Sequence, residues 1–144
     1  MKEVNAAEAH ELMNKEAYVY IDVRSEAEFM GGHPAGALNI PAFLPGPSGM
    51  APNPDFVATV QGLFPTDAKL ALGCQMGGRS ARACQLLEKA GFKAVLNVRG
   101  GYGGTRDAFG RVVEKGWADL GLPVSRDNSD AVSHQGLKRK AHRA

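Results

Sequence analysis

Hydrophobic and polar positions along the chain follow two periodicities, and the order of these segments predicts an α/β domain. Short apolar runs at 17–23, 68–74 and 93–98 are typical of buried strands. Apolar residues that recur every three or four positions at 5–14 and 54–64 are typical of helices with one packed face. Because strands alternate with helices, the pattern favours a central parallel sheet.

The clearest helical pattern lies at 80–92, "SARACQLLEKAGF", where Gly91 is a typical stop signal. Its inward face is predicted to carry Ala83, Leu86, Leu87 and Ala90. Near the N-terminus, Asn5 is a predicted N-cap with Glu8 as its capping-box partner. Ser25 is predicted to cap a short helical turn.

Glycine and proline mark the segments that are predicted to be irregular. Residues 45–54, "PGPSGMAPNP", are predicted to form a loop, and residues 99–104, "RGGYGG", a glycine turn. Residues 105–121 are predicted to be mixed helix and loop. Apolar periodicity ends near residue 126, so one domain over residues 1–126 and a disordered tail over residues 127–144 are expected.

Charge separates this tail from the rest of the chain. The net charge is +2, and residues 127–144 account for all of it with Lys138, Arg139, Lys140 and Arg143 against two aspartates. Because the first 126 residues balance 13 basic against 13 acidic side chains, they show no bias towards nucleic acid or a membrane surface. The tail itself is expected to be solvated and mobile.

Cysteine content and hydropathy indicate the expected compartment. Two cysteines do not make a disulfide framework, and a reducing cytoplasm is therefore the expected location. No apolar run approaches the length of a membrane span, and the polar N-terminus resembles neither a signal nor a transit peptide.

The segment "CQMGGRS", residues 74–80, combines features that point to chemistry. Cys74 follows a predicted strand, and sites in parallel sheets form at the carboxyl ends of strands. Gly77 and Gly78 allow the loop to curl so that its amide groups point inwards. Arg79 adds a fixed charge, and a helix that starts near Ser80 adds its dipole. We therefore expect Cys74 to be present as thiolate and to attack an anionic substrate through a covalent intermediate.

Two chemistries use a cysteine in such a loop. Phosphatases with a cysteine nucleophile place one more residue between the cysteine and the arginine than the four found between Cys74 and Arg79. A shorter loop encloses less space, which favours a terminal sulfur on the cysteine over a phosphoryl group. A phosphatase or arsenate reductase is therefore the disfavoured alternative.

Three separated segments resemble the single-domain rhodaneses, which are thiosulfate-type sulfurtransferases. "CQMGGRS" resembles the active-site loop of that family, and "YIDVRSEAEFMGGHPAGALNIP", residues 20–41, resembles its N-terminal signature. "VLNVRGGYGG", residues 95–104, resembles its C-terminal signature. The resemblance covers residues 1–126 and implies a central parallel sheet with helices on both faces.

The resemblance also implies a two-step cycle. Cys74 takes the outer sulfur of thiosulfate or a similar small anionic donor, and the persulfide is held by backbone N–H groups of residues 75–79. A thiol or cyanide then accepts that sulfur. Arg79 is expected to bind the donor, and the other substrate-binding residues of the loop are expected to be Gln75, Met76, Gly77 and Gly78. No metal or organic cofactor is implied.

A second hypothesis differs in the acceptor. In that case the domain is a sulfur-carrier or redox-sensing module that passes its persulfide to a specific protein partner. The loop sequence does not separate this hypothesis from the enzyme.

Other polar residues near the motifs are expected to have mainly structural roles. Asp22 and Arg24 are expected to form an ion pair that braces the loop, although they could instead steer anions, and Ser80 supports the helix start. His33 is expected to bond the backbone. Glu28 is expected to be a solvated or structural helix residue.

The region after the glycine turn departs from the family pattern. Trp117 lies well beyond Gly101, which indicates an insertion at 103–116 that shapes access to the site. Trp117 and Tyr102 are predicted to lie either at the pocket entrance or in the core, and the sequence favours neither position. Cys84 is expected to be a packed core residue, because it lies nearly three helical turns from Cys74.

Overall fold

The computed structural model describes residues 1–142 and places a five-stranded sheet at the centre of the molecule. In chain order the elements are β1 (Lys2–Asn5), α1 (Ala6–Lys15), β2 (Val19–Asp22), α2 (Glu26–Met30), β3 (His33–Pro34), β4 (Leu38–Asn39), β5 (Phe43–Gly46), β6 (Gly49–Pro52), α3 (Phe56–Leu63), β7 (Lys69–Gly73), α4 (Gly78–Lys89), β8 (Ala94–Arg99), β9 (Thr105–Arg106), β10 (Val112–Glu114), β11 (Val124–Ser125) and α5 (His134–Ala141). The central sheet has the order β1-β8-β7-β2-β4, and its neighbouring strands are parallel. The predicted α/β class and parallel sheet are confirmed.

Helices cover both faces of this sheet. Successive strand residues point to opposite sides, so a strand that is apolar throughout needs packing partners on both. In β7, Leu70 and Leu72 pack in a cluster with residues of α3, α4 and α5, whereas Ala71 packs in a second cluster with residues of α1 and α2. Trp117 is fully buried in that second cluster. The protein therefore has one core on each side of the sheet.

The strand register brings the carboxyl ends of β2, β7 and β8 together. Asp22 lies opposite Gly73, and Leu72 lies opposite Asn97. Because Cys74 directly follows Gly73, it emerges at this common edge. This is the position at which parallel sheets place their sites.

The two predicted helix caps are confirmed, but one residue predicted on the inward face of a helix is exposed. Asn5 and Ser25 each accept the backbone N–H three residues on in a complete capping box. In α4, however, Leu86 is 46% exposed, so its predicted inward position is wrong. The buried side of α4 carries Ser80, Ala83, Cys84 and Leu87, whose spacing leaves Leu86 at the flank of that side.

Two segments predicted to be irregular are β-hairpins. Residues 45–54 were expected to form a loop, but β5 and β6 pair antiparallel across them. Each strand is an edge strand, so prolines that lack an N–H are tolerated. Residues 105–121 contain a hairpin of β9 and β10 where mixed helix and loop was expected, because Val112 and Val113 favour extended backbone.

The predicted disorder of residues 127–144 is also wrong over the part of the tail that the structure describes. Ser133 caps α5, and Leu137 is 3% exposed in the core cluster that contains α3 and α4. A Cβ at Gly62 of α3 would overlap the backbone of Ala141, so the two helices meet closely through a glycine. One leucine and a glycine contact are too little to produce apolar periodicity. Arg143 lies outside the described residues.

Replacement of Leu137 by alanine tests this docking. We expect the free energy of unfolding to fall by about 2 kcal/mol, because a buried leucine leaves a cavity when it is truncated. The matched control is Leu86→Ala on the exposed side of α4, for which a loss below about 0.5 kcal/mol is expected. Urea unfolding measures both. Equal losses would contradict the docking of α5.

Candidate functional site

The Cys74 loop connects β7 to α4 and is shaped by a glycine. Gly77 is the N-cap of α4 and has φ +114, a backbone angle that other residues rarely adopt. Its unusual angle turns the chain back over Cys74, and α4 begins at Gly78, two residues earlier than the predicted start near Ser80. The thiol therefore lies at the N-terminal end of a 12-residue helix.

Two backbone N–H groups donate to the sulfur of Cys74, which is buried. The N–H of Gly77 donates to Sγ at 3.0 Å, and the N–H of Ser80 donates at 3.4 Å. The Ser80 hydroxyl lies 3.4 Å from the same sulfur. Backbone donors and the positive end of a helix dipole both stabilise negative charge on this atom.

A polar network below the loop orients Ser80. Its hydroxyl donates to Oδ1 of Asn97 at 2.6 Å, and Nδ2 of Asn97 donates to Oε2 of Glu3 at 2.8 Å. Nδ2 also lies 3.3 Å from the carbonyl oxygen of Gly77, where the loop turns. Asn97 and Glu3 are not among the predicted site residues. A polar residue inside the buried strand "VLNV" was the available signal.

The glycine turn after β8 holds the loop from the other side. The N–H of Tyr102 donates to the Cys74 carbonyl at 2.8 Å, and the N–H of Gly103 donates to the Gln75 carbonyl at 2.9 Å. Gly101 has φ +53, and a Cβ there would overlap the Cys74 carbonyl oxygen. The two motifs are therefore in direct contact, and the close approach requires glycine.

The predicted ion pair of Asp22 and Arg24 is confirmed. Arg24 Nη2 donates to Asp22 Oδ2 at 2.8 Å, and both side chains are buried. The guanidinium also donates to the carbonyl of Gly32 at 2.7 Å and to Oε1 of Gln75 at 3.2 Å. The pair thus connects the end of β2 to the Cys74 loop.

Arg79 forms a second, more exposed ion pair. Its Nη1 and Nη2 donate to the two carboxylate oxygens of Glu28 at 2.8 and 2.9 Å. The side chains are 26% and 34% exposed. Hydrogen bonds from Arg79 lower the pKa of Glu28 to about 2. Binding of the sulfur donor by Arg79 stays a prediction. In the structure the guanidinium that would bind it is paired with the carboxylate of Glu28.

The remaining loop residues differ in exposure. Gln75 is half-buried through its contact with Arg24, whereas Met76 is 60% exposed. Gly78 has open space where a Cβ would be. The loop therefore presents Met76 and Gly78 outwards while the sulfur faces its donors.

Most of the residues for which the sequence left both a site role and a core role open lie in the core. Trp117 is fully buried, and its indole N–H donates to the carbonyl of Pro123 at 2.7 Å. The ring of Tyr102 lies under the Arg24 guanidinium at 4.5 Å. His33 contacts the backbone carbonyls of Pro34 and Asp127, as expected of a structural histidine.

Cys84 is a core residue, as predicted. It is fully buried in the cluster between the sheet and α4, and burial raises the pKa of its thiol to about 12. A thiol in that state is a poor nucleophile at neutral pH.

Residues 1–142, which the structure describes, contain neither a candidate metal site nor a candidate membrane-spanning helix. Within that range no cluster of three or more His, Cys, Asp or Glu side chains has the proximity to hold a metal ion. None of the helices described there has the length and hydropathy of a membrane span.

Comparisons with known proteins give a consistent result. Residues 5–108 match the family model described as a rhodanese-like domain. The chain is 39% identical to Thiosulfate sulfurtransferase 16, chloroplastic, of Arabidopsis thaliana over 84% of this chain and 90% of that protein. It is 33% identical to Thiosulfate sulfurtransferase 18 of the same plant, over 88% and 85%. Several other curated relatives are longer, and the chain spans 46 to 53% of their length.

A solved structure supports the same fold. Rv0390 from M. tuberculosis superposes with a TM-score of 0.72 at 27% identity, over 88% of this chain and 98% of that one.

Proposed function

This chain belongs to the rhodanese-like domain family, and from that membership we propose that it is a sulfurtransferase that carries sulfane sulfur on Cys74. The observation that supports the proposal most directly is the pair of backbone donors, Gly77 N–H and Ser80 N–H, aimed at the buried sulfur. These donors suit an anionic sulfur both before and after it has received a second sulfur atom.

In the first half-reaction, the Cys74 thiolate attacks the outer sulfur of thiosulfate. A new S–S bond forms, and the S–S bond of the donor breaks with its electron pair leaving on sulfite. The outer sulfur stays on Cys74 as a persulfide anion, so charge is conserved. The amide of Gly77 is close enough to Sγ to stabilise the attacking thiolate.

In the second half-reaction, cyanide or a thiolate attacks the terminal sulfur of the persulfide. The electron pair of the S–S bond returns to Cys74, which becomes thiolate again, and thiocyanate or a new persulfide leaves. The hydrogen bonds of residues 102 and 103 to the loop hold its backbone in place for both half-reactions. Neither step needs a metal or an organic cofactor.

A specific observation favours the carrier as a second candidate. Met76 is 60% exposed beside Cys74, and the hairpin of β9 and β10, which starts two residues after Gly103, exposes Phe109 and Val113. Such exposed apolar side chains suit contact with a protein that donates or accepts sulfur. In this case transfer of the sulfur from Cys74 to small acceptors such as cyanide would be slow.

The deciding experiment combines loading and turnover. The protein is incubated with thiosulfate, desalted and examined by intact mass and peptide mapping, and thiocyanate formation with cyanide is then followed in steady state. A gain of one sulfur atom on Cys74 with continuous turnover supports the enzyme. The same gain of one sulfur atom without turnover on small acceptors supports the carrier. If thiosulfate adds no sulfur to Cys74 and no thiocyanate forms, the proposed thiosulfate chemistry is contradicted.

A further inference from the structure

Both arginines that border the Cys74 loop are matched by a carboxylate. Arg24 is bound by Asp22, and Arg79 is bound by Glu28 through two parallel N–H···O contacts of 2.8 and 2.9 Å. Neither guanidinium therefore presents an uncompensated positive charge to the thiol. The groups that donate to the Cys74 sulfur are instead the backbone N–H groups of Gly77 and Ser80.

Glu28 is held in this position from its other side as well. The backbone N–H of Ser25 donates to Oε1 at 3.2 Å, and the Ser25 hydroxyl donates to the same atom at 3.0 Å. These bonds belong to the capping box of α2, so the carboxylate is fixed by the helix that carries it. The pair between Arg79 and Glu28 is thus a built feature of the resting site.

A compensated arginine has a direct consequence for donor choice. A donor that approaches Cys74 meets Glu28 at the guanidinium that would otherwise attract it. The repulsion from one carboxylate is proportional to the charge on the donor, so it is twice as large for a dianion as for a monoanion. Thiosulfate is a dianion, whereas thiosulfonates and ionised organic persulfides carry a single charge.

We propose that Glu28 is a specificity-determining residue that cancels the charge of Arg79 and so removes the advantage that a free arginine would give thiosulfate over singly charged sulfur donors. The inference rests on the proposed sulfurtransferase function. With methanethiosulfonate, the Cys74 thiolate attacks the outer sulfur, and the S–S bond breaks with its electron pair leaving on methanesulfinate. The persulfide formed on Cys74 is the same as with thiosulfate.

The test is the Glu28→Gln variant assayed with both donors and cyanide. Glutamine keeps an oxygen for the Ser25 donors and removes the charge opposite Arg79. We expect kcat/KM to rise about tenfold for thiosulfate and about threefold for methanethiosulfonate, because the logarithm of the effect scales with donor charge. The control is Glu26→Gln on the same helix, whose carboxylate accepts from His134 and Gln135 rather than from Arg79. It is expected to leave both values within about twofold.

A second measurement keeps the inference testable if the variant does not fold. In the wild type, added salt is expected to leave the ratio of kcat/KM for thiosulfate to that for methanethiosulfonate nearly unchanged, because the pair of Arg79 and Glu28 has no net charge for salt to screen. A ratio that falls with added salt would show that the charge of Arg79 is not compensated and would overturn the inference. In the Glu28→Gln assay, equal increases in kcat/KM for the two donors, or a decrease for thiosulfate, would show that Glu28 orients Arg79 for binding. Either result would overturn this inference and leave the proposed sulfurtransferase function standing. A wild type that takes sulfur from neither donor would overturn the proposed function itself.

Discussion

Replacement of Cys74 by serine is expected to lower thiocyanate formation by about 10⁴-fold or more, to the uncatalysed rate. A serine hydroxyl has nearly the size of the thiol and keeps the contacts to Gly77 and Ser80. It is not ionised at neutral pH, however, and cannot carry the sulfane sulfur as a persulfide. The loss therefore follows from chemistry and not from packing.

The matched control for this variant is Cys84→Ala. Cys84 is the other thiol of the chain, and burial raises its pKa to about 12. We expect this variant to keep wild-type turnover below its unfolding temperature and to gain one sulfur atom from thiosulfate. Full activity in Cys74→Ser, or its loss in Cys84→Ala with the fold intact, would show that the nucleophile has been assigned to the wrong cysteine.

Replacement of Arg24 by methionine is expected to lower the free energy of unfolding by about 3–5 kcal/mol. The reason is that Asp22 is buried and would keep a carboxylate without its partner. The variant also removes the donors to Gln75 and to the carbonyl of Gly32. Thermal or urea unfolding measures the change, and kcat is expected to fall because the loop loses its brace.

Two comparisons separate burial from charge. Arg106→Met breaks an exposed pair with Asp119, for which a loss of about 0–1 kcal/mol is expected. Adding Asp22→Asn to Arg24→Met is expected to restore part of the stability, because the uncompensated charge is removed. Equal losses in Arg24→Met and Arg106→Met would contradict the role of burial.

The central sheet and the thiol loop were predictable because they depend on local pattern. Apolar runs mark β2, β7 and β8, and the helix after "CQMGG" places Cys74 between a strand end and a helix start. The capping boxes of Asn5 and Ser25 were predictable for the same reason, since the partner lies three residues away.

Contacts between distant segments were not predictable. Arg79 and Glu28 are 51 positions apart, so nothing local indicates that a carboxylate occupies the guanidinium. Leu137 is a single apolar residue in a basic helix, and its docking depends on the space left by Gly62 of α3. Both features arise from tertiary packing, which periodicity does not report.

The contact between Glu3 and Asn97 connects an outer edge of the sheet to the Cys74 loop. β1 is an edge strand, and its Glu3 accepts from Asn97, which in turn accepts from the hydroxyl of Ser80. The backbone N–H of the same Ser80 donates to the sulfur. Trimming that strand with a protease would release Asn97 and change the setting of the Ser80 hydroxyl, 77 positions further along the chain. A loss of activity in such a digest would therefore indicate that the position of Ser80 had changed. It would not mean that the first residues contact the substrate.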